Sequence, residues 1–162
     1  MKKILAVLML VVTMCLLCGC IIRFQNSFEP MGTADQIESV EIFYLHSSVY
    51  SYRLDTSSFE SVAVLEQSDF NQMHDRLQNL AYNDLIILVV PTDSNYYLFD
   101  FVIKVQYNDG TFDLVTEMGA FGYDSNNKVT SDTCGWIDEE IWKQLIVDFV
   151  GQEQWDKYIV EE

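Results

Sequence analysis

The chain has 162 residues, 49% of them apolar, with 9 Lys and Arg against 25 Asp and Glu and a formal charge of −16. So acidic a chain is not built to hold nucleic acid, or to adhere to anionic lipid, by charge, and no nucleic-acid partner is expected. At 14% aromatic residues it also lacks the composition of a disordered acidic chain. One domain with its own core is expected.

Lys2 and Lys3 precede an apolar run over residues 4–22, broken only by Thr13, Gly19 and three cysteines. A basic start followed by an apolar stretch is the layout of a secretory signal. The run ends in Leu17-Cys18-Gly19-Cys20. This stretch resembles the lipobox of bacterial lipoproteins: an aliphatic residue, a loosely restricted one, a small one, then cysteine. The resemblance implies that Cys20 is the lipidation site, joined through sulfur to a diacylglyceryl group and left as the first mature residue. Cys18 and Cys15 fit less well, because Leu17 and Met14 before them are large. An uncleaved signal anchor is the rival reading, since a bilayer takes roughly 17 to 25 apolar residues. Either way Lys2 and Lys3 stay inside and the remaining chain faces outward, on the extracytoplasmic side of the cell membrane.

Removing residues 1–19 as signal peptide takes two lysines and no acid, so the net charge moves from −16 to −18. Cys15 and Cys18 leave with it, Cys20 is capped by lipid, and Cys134 is left. No disulfide can then form within one mature chain. Cys134 reads as a small buried hydrophobe, or as a thiol able to pair between chains.

Residues 20–35 contain Pro30 and Gly32 without sustained periodicity and read as a tether. The domain is placed at residues 36–151. Val40, Ile42 and Tyr44 alternate as in a strand, with a return over residues 49–54 through a turn at 46–48. A second turn is expected at 55–58 and a third strand at 62–65. Ser68 is placed to cap a helix whose inner face is Phe70, Met73, Leu77 and Leu80, ending at Asn83-Asp84. Residues 85–90 form an apolar run stopped by Pro91, expected to be a buried strand.

The strongest pattern spans residues 96–118. Tyr97, Phe99, Phe101, Ile103, Val105 and Tyr107 alternate with Asp100, Lys104 and Gln106, then comes Asp109-Gly110, then Phe112, Leu114 and Met118 alternate with Asp113 and Glu117. A two-residue type I′ turn at Asp109-Gly110 would pair Tyr107 with Phe112, Val105 with Leu114, Ile103 with Thr116 and Phe101 with Met118. Asp113 and Glu117 then point outward. Residues 119–135 read as a polar glycine-bearing loop with a short strand near 128–130. Asp138 is positioned to cap a last helix with Ile141, Trp142, Leu145, Ile146, Phe149 and Val150 on one face, closed by Gly151. Residues 152–162 read as an acidic tail, with a turn around Trp155 and Tyr158. The expected fold class is α+β: an antiparallel sheet of about five strands with two amphipathic helices packed on it.

The stretch Tyr107-x-Asp109-Gly110-x-Phe112-x-Leu114-Val115-Thr116, then Gly119, Gly122 and Tyr123, then Asp138-Glu139-x-x-x-Trp142-x-x-Leu145-Ile146 resembles small uncharacterised lipoproteins of Firmicutes-type bacteria. The likeness covers roughly residues 37–150. It implies location and fold and brings no activity with it.

No chemistry stands out by motif. His46 and His74 sit in no metal-ligand spacing, and His74 borders the core face of its helix, as a satisfied interfacial histidine would. Asp124-Ser125-Asn126 begins like a calcium loop, but Lys128 and Val129 occupy a ligand place and the glycine place, so a turn is expected. Gly-x-Ser-x-Gly is absent, and with 25 carboxylates no chosen pair is informative. No catalytic residue, metal ligand or cofactor is assigned, and no enzyme is expected. A hydrolase of envelope polymer would need carboxylates converging with a histidine, such as Asp100 with His46 or His74. Tyr44, Tyr50, Tyr52, Tyr96 and Tyr123 are candidates for partner contact, with sheet packing as the alternative. The expectation is a lipid-anchored, non-enzymatic binding or accessory module, joined to the membrane by its lipid and engaging a protein partner. The alternative is an inhibitor or protective protein with an acidic, aromatic sheet face.

Overall fold

The computed structural model describes residues 24–45, 59–84 and 101–159. The fold is α+β. A six-stranded antiparallel sheet has the order β3-β2-β5-β6-β7-β8. Its strands are β2 (Ile37–Leu45), β3 (Phe59–Val64), β5 (Phe101–Tyr107), β6 (Phe112–Thr116), β7 (Gly119–Tyr123) and β8 (Val129–Cys134). A separate two-stranded ribbon pairs β1 (Phe24–Ser27) with β4 (Ala81–Asp84). Among the described residues three α-helices complete the fold: α1 (Phe70–Gln78), α2 (Glu139–Val150) and α3 (Gln152–Ile159).

Strand alternation gives the sheet an inner face. Val40, Ile42, Phe101, Ile103, Val105, Tyr107, Val115 and Ala120 join one buried cluster with Met73 and Leu77 of α1, Trp142, Leu145 and Ile146 of α2, and Trp155 and Tyr158 of α3. Helices on one face of an antiparallel sheet are the usual way to bury both apolar surfaces. Phe70, Met73 and Leu77 face inward as their spacing requires, and Leu80 follows them just past the helix. Asp138 caps α2, its Oδ1 accepting from the Glu140 amide at 3.1 Å. Gly151 at φ 86° stops that helix, with its amide on the Val147 carbonyl.

Several expectations are revised. Ser68 does not cap α1: a short 3-10 turn (Gln67–Asp69) leads into the helix, and the N-cap Asp69 makes no side-chain cap bond. The helix stops at Gln78, and Asn83 and Asp84 belong to β4. Ile141 is 56% exposed and lies off the buried face of α2. Residues 119–135 form the β7–β8 hairpin, which glycines had disguised. At Gly119 a Cβ would stand 2.9 Å from the Thr133 carbonyl, and at Gly122 it would stand 2.6 Å from Met31 Sδ, so close approach requires the missing side chain. The segment read as a tether contains β1 and buries Phe28. The segment read as a tail contains α3, whose Trp155 ring stacks on Phe101 at 5.2 Å between centroids. The strands expected at 49–54 and 85–90 lie outside the described residues.

The central hairpin is also re-registered. Gln106 pairs with Phe112, Val105 with Asp113, Lys104 with Leu114, Ile103 with Val115 and Val102 with Thr116. The Gly110 amide bonds the Tyr107 carbonyl, the Tyr107 amide bonds the Thr111 carbonyl, and Gly110 alone in this loop has positive φ, at 85°. That is a type I turn followed by a left-handed glycine, a three-residue loop in place of two. Asp109 favours it, because its Oδ1 accepts from both the Thr111 amide (2.9 Å) and hydroxyl (2.7 Å). These bonds hold the Asp109 carboxyl below its ordinary range. One extra loop residue moves every β6 side chain to the opposite face. Asp113 therefore points into the core.

Candidate functional site

Asp113 is fully buried on the inner face. Its Oδ2 accepts from the Tyr107 hydroxyl at 2.7 Å and from the Met31 amide at 3.0 Å. Its Oδ1 is a buried atom with no hydrogen-bond partner among the described residues. Burial pushes the carboxyl up from its ordinary 3.8 to about 6, against the opposing pull of the Tyr107 and Met31 bonds and the charge of His74. Burial also pushes the Tyr107 phenol well above its usual range, reinforced by the charge of Asp113.

His74 reaches the same place from α1. Its Nε2 lies 3.0 Å from the Gly32 carbonyl oxygen, an acceptor, so that nitrogen donates. The imidazole is 6% exposed, a satisfied interfacial histidine as its position on the helix suggests. Gly32 itself lies on the Tyr107 ring: a Cβ there would be 2.6 Å from Cδ1. Met31 packs over Gly122, its sulfur 3.6 Å from the hydroxyls of Thr130 and Ser131. The Asn108 amide then bonds the Gln36 carbonyl. Residues 28–36 are thus threaded between helix α1 and the sheet, pinned from both sides.

A carboxyl of raised pKa beside an imidazole and a phenol is a pattern that can do acid–base work. Here Asp113 Oδ2 and His74 Nε2 are engaged with the main chain of residues 31 and 32, and Asp113, Tyr107 and His74 are at most 6% exposed. The arrangement can fasten a segment; it offers no face to a substrate. Sequence reasoning missed Asp113 because strand alternation from a two-residue turn put it outside. The discriminating signal was Asp109-Gly110-Thr111, whose hydroxyl and amide recruit the aspartate into the longer loop.

The outer face of β5, β6 and β7 carries Val102, Lys104, Gln106, Phe112, Leu114, Phe121 and Tyr123. Val102 and Leu114 are buried, while Lys104, Phe112, Phe121 and Tyr123 are half-buried. Phe112 and Tyr123 stack at 4.7 Å, with Lys104 Nζ 4.9 Å from the Phe112 ring centre. The charge on this face of β5 and β6 is a lysine, where carboxylates were expected. Tyr44 belongs to the core side, with its hydroxyl donating to the Tyr158 carbonyl at 3.0 Å and its ring 4.5 Å from that of Tyr158. The expected turn at Asp124 is present: its Oδ1 accepts from the Asn126 and Lys128 amides, which hold its pKa down. No group of three or more metal-ligating side chains occurs among the described residues. Cys20, His46, Tyr50, Tyr52, Tyr96 and Asp100 lie outside the described residues, as does the conjectured meeting of Asp100 with His46 or His74. Among the described residues no helix is long and apolar enough to cross a membrane. Comparison with family models, curated proteins and solved structures finds no match for this chain.

Proposed function

We propose that the protein is a lipid-anchored extracytoplasmic module, modified on Cys20, that works by binding or as an accessory to another envelope protein and not by catalysis. The observation that carries the reading is the basic start, the apolar run and Leu17-Cys18-Gly19-Cys20, which resembles the bacterial lipobox. The buried state of Asp113, Tyr107 and His74 supports the non-catalytic half of it: Asp113 Oδ2, held by the Tyr107 hydroxyl, and His74 Nε2 fasten residues 31 and 32 in place. With Val102 and Leu114 buried, the part of the outer sheet face open to a protein partner is the half-buried group Phe112, Phe121, Tyr123 and Lys104. That face pairs Lys104 with Glu41 and Phe121 with Asp132, and this mixed charge favours a general binding module over an inhibitor working through a uniformly acidic patch. Mass spectrometry of membrane-extracted protein tests the anchor. The expected mature N-terminus is Cys20 carrying a diacylglyceryl group, and Cys20→Ala is expected to stay unprocessed. A Cys20→Ala protein that is cleaved and lipidated as usual would overturn the assignment.

A further inference from the structure

We infer that residues 28–36 form a strap that closes over Asp113 with uptake of a proton, and that its grip on the sheet loosens as the pH rises toward neutrality. Strand register sets the ground it lies on. One row of the inner face runs Val40, Val105, Asp113, Gly122 and Ser131 across β2, β5, β6, β7 and β8. Helix α1 packs on β2 and helix α2 on β3. The β6–β8 part of the row lies under the strap. Met31 rests on Gly122 and Ser131, and its amide donates to Asp113 Oδ2 at 3.0 Å.

The strap is fixed at its ends and lightly held between them. Phe28 is buried and its amide donates to the Leu80 carbonyl, while the Gln36 carbonyl accepts from the Asn108 amide. Residues 28–33 belong to no helix or strand. Their middle is held by two bonds to side chains, the Met31 amide to Asp113 and the Gly32 carbonyl to His74. A segment tied this way opens at a lower free energy than the sheet beneath it. Opening would bare Asp113, Gly122 and Ser131 to water.

Opening also changes which state Asp113 prefers. With the strap closed, Oδ2 accepts from Tyr107 and Met31, while the buried Oδ1 accepts from no described residue. An anionic oxygen without donors costs more there than a neutral hydroxyl, so the proton sits on Oδ1. Burial pushes this carboxyl up to about 6. With the strap open, water reaches Oδ1, the Tyr107 bond favours the anion and the proton leaves. Closing therefore takes up a proton. By linkage the strap is held most firmly below about pH 4 and loses this contribution as the pH passes about 6. Among the described residues, the titratable groups that act on Asp113 are Tyr107 from β5 and His74 from α1. The strap, β7 and β8 present Met31, Gly122 and Ser131 at this row, and none of them carries a charge.

The test is hydrogen exchange of the full-length protein at pH 4.5 and 7.5, read by mass spectrometry on peptides covering residues 28–36 and 101–107 and corrected for the intrinsic rate at each pH. At pH 7.5 the strap is expected to be protected about tenfold less than β5, or less still. Its own protection should fall about tenfold or more from pH 4.5 to 7.5. Asp113→Asn, or Asp113→Ser if that does not fold, should make the protection of the strap the same at both pH values. Equal protection of the strap and β5 would mean that the strap opens only with the whole fold, and would overturn the inference. A strap whose protection does not change with pH would overturn it as well. So would a fall that survives in the Asp113 variant, which would assign the proton to His74.

Discussion

The Tyr107 hydroxyl donates to Asp113 Oδ2 at 2.7 Å across two strands of one hairpin, with both side chains buried. The pair exists because the loop between the strands has three residues. With Asp113 opposite Val105, its carboxylate lies diagonal to Tyr107 on the inner face. That bond and the one from the Met31 amide tie the N-terminal segment to the sheet.

Tyr107→Phe should show what the bond is worth. A hydrogen bond to an ionised group contributes about 1.5–3 kcal/mol, and a neutral one about 1. Asp113 is ionised above about pH 6, so urea denaturation should show a larger loss at pH 8 than at pH 4.5. Equal losses at both values would mean that the carboxyl does not change state between them.

Asp113→Asn isolates the titration. The folded carboxyl, at about 6, holds its proton more tightly than the unfolded one at 3.8. The resulting stabilisation is full below about pH 4, declines as pH rises and is gone above about 6, a span worth about 3 kcal/mol. The stability of the native protein minus that of Asp113→Asn should therefore fall by this order between pH 4 and 8. A flat difference would contradict the raised value.

Gly122→Ala should destabilise through Met31. The added Cβ would meet Ser131 Oγ and stand 2.6 Å from Met31 Sδ. Overpacking of this kind costs about 1–3 kcal/mol. Met31→Ala removes one obstacle, so the double variant should lose less than the sum of the single ones. Simple additivity in a thermal-melt cycle would place the strain elsewhere.

Chain shortening distinguishes a tether from a structural segment. Residues 24–162 should fold like the mature domain. Residues 37–162 lose β1, the buried Phe28 and the Met31 bond to Asp113, and should be less stable by more than about 3 kcal/mol. At the other terminus, Trp155→Ala should cost about 3 kcal/mol by unstacking from Phe101. Equal melting temperatures in either comparison would contradict the packing described.

Legibility followed distance along the chain. The inner face of α1, the Asp138 cap and Gly151 stop of α2, and the existence of a hairpin at Asp109-Gly110 depend on residues within a turn or two of one another. Periodicity and capping report such relations directly. The β7–β8 hairpin was hidden because its strand has glycines where neighbours press close, and glycine reads as loop.

By itself the sequence determined the α+β class and the inner face of α1, since each is written in local hydrophobicity and spacing. Only the tertiary structure decided that Asp113 turns inward, that His74 meets Gly32, and that residues 28–36 run through the fold. The physical reason is separation. Met31 and Asp113 are 82 residues apart, and one bond pattern inside a three-residue loop selects the face on which they meet.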